Sequence, residues 1–397
     1  MNFLDHDFLR GHIRSILKFY APNVVDPEGG FFQNFLSDGR VFDPGRRHLV
    51  SSTRMVFNYC KAYELFGQPE DLKRARHGLA FVEQAHWDAR RRGYHWTLKD
   101  PATPDDQTNH CYGLAFVVLC YASAHEAGIE GAAHALRRAV ELMESRFWMS
   151  EQGLYADEAT PDWSDVAAYR GQNANMHACE AMIAAYEALG ESRYLDRACE
   201  LARKVAVELA DQSDGLVWEH FKADLSIDWD YNRDDPKNLY RPWGFQPGHQ
   251  TEWTKLLLIL HGHRPEPWML ERATSLFDRA LQVAWDHEHG GVFYGFAPDG
   301  GICDRDKYFW VHAETLAASA RLLAVTGEAV YRQWYDRIWA YAWEHLVDHN
   351  CGAWYRVLDA CNTPLSDEKS SAGAKCDYHT IGACWDVLRS TRGLAGA

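Results

Sequence analysis

The chain has no apolar run long enough to span a bilayer, which excludes a helical membrane protein. It has no block of basic residues. Its 41 Lys and Arg are outnumbered by 56 Asp and Glu, a formal charge of −15, which argues against nucleic acid or an anionic membrane surface as partner. Its ten cysteines form no Cys-x-x-Cys pair, and Cys60, Cys120, Cys179 and Cys384 fall inside apolar helical stretches. That is the usage of free buried thiols in a reducing cytoplasm rather than of a disulfide framework. Residues 1–7 lack a basic n-region and an apolar h-region, so no signal peptide and a cytoplasmic location are expected. A phosphate loop, a dinucleotide fingerprint and a nucleophile elbow are all missing, and no cofactor is predicted.

Aromatics, by contrast, are abundant: 16 Trp, 19 Tyr and 18 Phe, most of them accounted for by core packing and a few free to stack on a flat ligand. They are also periodic. Glycine followed by aromatic and polar residues recurs six times, at Gly29-Gly30-Phe31, Gly93-Tyr94-His95-Trp96, Gly153-Leu154-Tyr155, Gly215-Leu216-Val217-Trp218, Gly290-Gly291-Val292-Phe293 and Gly352-Ala353-Trp354. The spacing is roughly 60–75 residues, and each copy reads as a short extended segment after a turn.

Between the copies the apolar spacing predicts twelve helices, at about 3–19, 49–66, 70–86, 110–127, 131–148, 174–189, 192–210, 249–262, 267–286, 308–326, 329–347 and 376–390. They alternate in character. Cys111-Tyr112-Gly113-Leu114-Ala115-Phe116-Val117-Val118 is apolar on all sides, the mark of a buried helix, whereas Glu191-Ser192-Arg193-Tyr194-Leu195-Asp196-Arg197-Ala198 is amphipathic. Six hairpins of one buried and one surface helix predict an all-α (α/α)6 barrel with hairpin-like connections at one end, in a single domain over 1–397. The longest non-helical insert, about Lys222 to Gly248, carries Trp229, Tyr231, Tyr240 and Trp243 and is expected to be a structured lid.

The starts of the six buried helices carry the polar residues. In order they hold Ser52-Thr53-Arg54; Asn109-His110-Cys111-Tyr112; Asn173, Asn175 and His177; His249 and Glu252; Trp310, His312 and Glu314; and His379. Parallel inner helices would bring all of these to one mouth. In His177-x-x-Glu180 and His249-x-x-Glu252 a carboxylate follows three residues after a histidine, on the same helical face, as a tunable proton carrier requires. Metal binding is the competing reading, but the two motifs lie on different hairpins among aromatics, so no metal is predicted. His261-Gly262-His263 and His287-Glu288-His289 are read as surface turns at helix ends opposite the mouth.

These residues resemble the motifs of the N-acylglucosamine 2-epimerase superfamily over essentially the whole chain. The matching segments are Ser52-Thr53-Arg54, Tyr112-Gly113-x-Ala115-Phe116, Asn175-Met176-His177-x-x-Glu180, Gly248-His249-x-x-Glu252-Trp253, Trp310-x-x-Ala313-Glu314 and Asp377-Tyr378-His379. The lead into His177 from Asn173 and the segment Arg241-Pro242-Trp243-Gly244 are more similar to its aldose–ketose isomerase branch. The resemblance implies metal-free chemistry on a monosaccharide, D-mannose to D-fructose, by a monomer or homodimer. It implies that His249 and His379 are the acid/base pair, that His177 aids sugar binding and ring opening, and that Arg54 holds the oxygens near C1 and C2. It also implies that Glu252 orients His249 and that Glu314 binds sugar. Tyr112, Phe116, Asn173, Glu180, Arg241 and Trp310 complete the expected substrate-binding set. A sugar 2-epimerase is the alternative; a glycoside hydrolase using Glu252 with Glu314 or Asp230 is a third, in which the histidines have no task.

Overall fold

A computed structural model describes residues 1–392. Six helices form an inner ring: α2 (Leu49–Phe66), α4 (Cys111–Glu126), α6 (Gln172–Leu189), α8 (Pro247–His263), α10 (Phe309–Thr326) and α12 (Tyr378–Ser390). Six wrap around them: α1 (His6–Tyr20), α3 (Pro69–Phe81), α5 (Ala132–Arg146), α7 (Ser192–Arg203), α9 (Pro267–Ala284) and α11 (Ala329–Tyr341). This is the (α/α)6 barrel. The sorting follows side-chain chemistry. In α4 nearly every residue from Cys111 to Ala124 is buried, whereas α7 buries only Tyr194, Leu195, Ala198, Leu201 and Ala202, one stripe, and turns Arg197 and Glu200 outward. Each inner helix packs on the next, and α12 meets α10, α2 and α1 to close the ring. No helix among the described residues is long and apolar enough to cross a membrane.

The outer helices α3, α7 and α11 end several residues before the apolar pattern does. The chain widens there into π-helical turns at Val82–His86, Lys204–Leu209 and Ala342–Leu346. Each of these turns closes with an N–H reaching five residues back, Trp87 to Val82, Ala210 to Val205 and Val347 to Ala342. The wider turn keeps the apolar face inward while redirecting the chain into the extended segment.

The glycine-aromatic segments then staple each inner-helix start to the following repeat. Arg47 and His48 pair with Leu98 and Thr97 before α2, and Asn109 and His110 with Ala159 and Glu158 before α4. Arg170 and Gly171 pair with Phe221 and His220 before α6, Phe245 bridges Phe296 before α8, and Lys307 and Tyr308 pair with Leu358 and Val357 before α10. Phe35 pairs with Ser370 ahead of α12. The six inner N-termini are therefore fixed at one end. The His261–His263 turn lies at the other end, where His263 meets Glu187 at 3.0 Å. The His287–His289 turn does not: α9 runs opposite to α8, so its C-terminal turn returns to the mouth and sits on the outer rim, with Asn362 donating to the His289 carbonyl at 2.8 Å.

Candidate active site

The inner N-termini surround a cavity whose wall includes Arg54, Tyr112, Asn173, His177, His249, Glu252, Trp310 and His379. The 222–246 segment roofs it with Leu239, Tyr240 and Pro242, and is itself tied down. Lys237 meets Asp306 at 2.5 Å, Asn232 donates to the Arg241 carbonyl at 2.7 Å, and the Tyr240 hydroxyl lies 3.3 Å from His48 Nε2.

Arg54 comes from the second turn of α2. Its guanidinium sits in the corner between two perpendicular rings, 4.1 Å from Phe116 and 4.8 Å from Tyr378, and donates to the Tyr112 hydroxyl at 3.1 Å. A fork held by two ring faces is a pre-organised stabiliser for adjacent oxygens. Phe116 thus lies behind Arg54, not on the cavity wall.

His249 and His379 enter from α8 and α12, on either side of Trp310, whose ring is 5.0 Å from the first and 5.7 Å from the second. The close approach of α8 to Trp310 depends on Gly248: a methyl group there would fall 2.4 Å from the Trp310 ring. His249 Nδ1 lies 2.9 Å from both oxygens of Glu219 and 3.0 Å from Gln172 Nε2; Gln172 in turn donates to Glu219 and accepts from the Trp253 indole at 2.8 Å each. His379 Nδ1 lies 2.7 Å from Glu314 Oε1. Both rings therefore have Nδ1 occupied by a buried carboxylate and Nε2 left for the cavity. Burial, then the neighbouring cations beginning with Arg54, drives the His379 pKa well below 6.5, and burial takes His177 to about 4.

Several expectations are corrected here. Glu252 does not orient His249. Three residues along α8 is one turn deeper, and Glu219, from the extended segment of the neighbouring repeat, already occupies Nδ1. Glu252 instead lies 3.9 Å from His177 Nδ1, and both its oxygens lack a hydrogen-bond partner among the described residues. Burial, then Glu314, raises its carboxyl well above the usual range, which favours a neutral acid able to donate to a sugar oxygen. Glu314 and Glu180 lie beneath the cavity rather than on its wall; Glu180 holds His177 Nδ1 at 3.0 Å and accepts from the Tyr378 hydroxyl at 2.8 Å. Arg241 is carried away by the lid to an adjoining cavity, where it pairs with Glu158 and stacks on Tyr169. Asp230 is 78 % exposed and paired with Arg233, so it cannot serve as a glycosidase carboxylate.

Sequence reasoning missed Glu219, Gln172, Lys255, Tyr294 and Arg356; Tyr240, expected in the lid, and Tyr308, at the start of α10, both reach the cavity wall. Glu219 stands in the recurring extended segment, where its inward polar position was a usable signal. Arg356 reaches the cavity wall from the last such segment and is paired with Glu368 at 2.9 Å.

Two groups offer metal-ligand spacing: His177, Glu180 and Glu252, and Glu252, Glu314 and His379, each with one ligand atom per residue within 4.8 Å of the others. The Lys255 ammonium already stands among these carboxylates, 2.6 Å from Glu314, 3.6 Å from Glu180 and 3.8 Å from Glu252. A divalent ion there would face that charge directly.

A barrel with paired histidine–carboxylate units at one mouth defines a class of proton-transferring site. Residues 30–383 match the family model described as N-acylglucosamine 2-epimerase (GlcNAc 2-epimerase). The chain is 50 % identical over 384 residues to a D-mannose isomerase of Marinomonas mediterranea, spanning 96 % of this chain and 97 % of that one. It is 34 % identical over 348 residues to a D-mannose isomerase of Thermobifida fusca, spanning 87 % and 85 %. A crystal structure of a D-mannose isomerase superposes with a TM-score of 0.96 at 49 % identity, covering 98 % of this chain and 99 % of that one. This chain belongs to the N-acylglucosamine 2-epimerase family.

Proposed function

We propose that the protein is a metal-independent aldose–ketose isomerase that interconverts D-mannose and D-fructose, in the cytoplasm, by histidine acid/base catalysis. The observation that carries this is the pair His249 and His379, each with Nδ1 on a buried carboxylate and Nε2 free, facing one cavity with Arg54. The 50 % identity to a D-mannose isomerase supports the choice of sugar, and ten cysteines with no disulfide support the location.

After ring opening, aided by His177, C2–H is acidic because it is alpha to the aldehyde. His379, neutral at pH 7 for the reasons above, takes that proton at Nε2, and the C–H electrons form the C1–C2 double bond. Negative charge develops on O1 beside the fixed guanidinium of Arg54. His249 moves the O2 proton to O1, and His379 returns its proton to C1, giving the ketose. Glu252, as a neutral acid, donates to a sugar hydroxyl.

Proton and carbon NMR of D-mannose with enzyme in D2O, with and without EDTA, tests the proposal. Fructose formed at a rate unaffected by EDTA is expected, with deuterium at C1 in those turnovers in which the His379 proton exchanges with solvent before it is returned. Glucose deuterated at C2 as first product would assign a 2-epimerase instead, a reading kept in view by the placement of the two histidines on either side of Trp310. Glu219→Gln keeps the shape but weakens the hold on His249. It is expected to lower kcat by about 10- to 100-fold with KM little changed, read by steady-state kinetics on D-mannose.

A further inference from the structure

We propose that Lys255 is a positioning residue for this reaction: one buried ammonium that anchors Glu180 and Glu314 beneath the cavity and, through them, sets the Nδ1 sides of His177 and His379. The inference rests on the reading above, that these histidines act on a sugar, and deepens it.

The geometry is a doubled relay with a shared centre. Lys255 lies one turn below Glu252 on α8, and its Nζ is 2.6 Å from Glu314 Oε2 and 3.6 Å from Glu180 Oε1. The other oxygen of each carboxylate holds a histidine: Glu314 Oε1 is 2.7 Å from His379 Nδ1, and Glu180 Oε2 is 3.0 Å from His177 Nδ1. Each carboxylate thus spans the same ammonium and its own imidazole. The charged and titratable groups facing this centre are Arg54 from α2, His177 and Glu180 from α6, Glu252 from α8, Glu314 from α10 and His379 from α12, with the Tyr378 hydroxyl on Glu180. Burial works to lower the lysine's pKa, but the neighbouring carboxylates, Glu314 first and then Glu180, raise it and keep the ammonium charged.

Without Lys255, the buried carboxylates of Glu314 and Glu180 would face Arg54 and the histidines alone, and protonation is the least costly response. A protonated Glu314 donates to His379 Nδ1 instead of accepting from it. The ring proton then resides on Nε2, and the ring can no longer accept the C2 proton. Raising the pH would ionise Glu314 again and restore the working tautomer. A second cavity, of about 660 Å³, reaches Lys255, Glu180, Glu314 and His379 from the opposite end of the ring, past Lys61 and Arg389. It offers a small amine a route to the position that a shortened side chain would vacate.

Lys255→Met and Lys255→Ala test this, with thermal melting as the check of folding. The expected result is a fall in kcat of about 100-fold, with KM within about threefold, and an acid limb of the pH profile displaced upward by about one unit or more. Propylammonium is expected to restore about tenfold or more in the alanine variant and nothing in the methionine variant, which fills the space. Turnover within about threefold of wild type in both variants, or a loss with an unshifted profile and no rescue, overturns the proposal. If the alanine variant does not fold, the methionine variant still reads kcat and the pH profile. Ring nitrogen NMR of His379 reads the same point without any sugar. The wild type should carry its proton on Nδ1 and Lys255→Met on Nε2; an Nε2 proton in the wild type, or no change in the variant, also overturns it. Failure of wild-type enzyme to turn over D-mannose, with the tautomer change present, would reject the sugar and leave the lysine assignment standing.

Discussion

Alanine at His249 or at His379, in separate variants, should lower kcat/KM on D-mannose by about a thousandfold, the middle of the range for removing a positioned acid/base group. Neither histidine can stand in for the other. His249 is fixed by Glu219 and Gln172 on one side of Trp310, and His379 by Glu314 on the other, so each addresses a different part of the sugar. Loss of either ring also leaves a buried carboxylate short of a partner, a destabilisation of about 1–3 kcal/mol, so melting curves must accompany the kinetics. Deuterium incorporation separates the roles: the His379 variant should show no exchange at C2. Turnover within threefold of wild type in a folded variant would remove that residue from the mechanism.

Acid should unfold the protein abruptly. Burial pulls His12, His86, His110, His177 and His312 from 6.5 to about 4. Their folded pKa lies below the unfolded value, so between pH 6.5 and 4 the unfolded chain takes up protons that the folded chain refuses. The associated stability is fully present above pH 6.5 and is lost as the pH falls. At pH 5 each group has given up about 2 kcal/mol. The five together then reach on the order of 10 kcal/mol, comparable to the whole stability of a typical domain, about 5–15 kcal/mol. His48 and His379, lowered further by burial, act in the same sense. A cooperative loss of near-UV circular dichroism is expected between about pH 5.5 and 4.5, with a melting temperature nearly flat above pH 7. A melting temperature unchanged down to pH 4.5 would contradict this account.

Much of the architecture was legible because it is periodic. Alternation of all-apolar and amphipathic helices is a one-dimensional signal, and so is the recurring glycine-aromatic segment; together they specify a ring and put Arg54, His177, His249 and His379 at one mouth. What was not legible arises between repeats. Spacing on α8 correctly set Glu252 on the side of His249, yet the partner of His249 is Glu219, from a strand whose place beside α8 is decided by the pairing of Gly171 with His220. Lys255 stands in the run Trp253–Leu260, where its chain neighbours offer it no partner but Glu252; only the convergence of Glu180 and Glu314 from two other helices gives it a reason. Arg241 was read by its neighbourhood in the chain, and the curvature of the lid carried it to a different cavity.

The seam between α1 and α12 ties the timing of folding to activity. Tyr20 donates to Asp377 at 2.5 Å across 357 residues of chain. Asp377 takes a left-handed conformation, with φ of 54°, immediately before Tyr378 and His379. Bringing such distant residues together costs about 5 kcal/mol in chain entropy, a cost that only the finished ring can offset. A partly made chain would already hold Arg54, His177 and His249 but would have neither the second histidine nor the contact that sets it. Catalytic competence therefore arrives in a single late step with ring closure, and a chain stalled before α12 has no fraction of the activity to show.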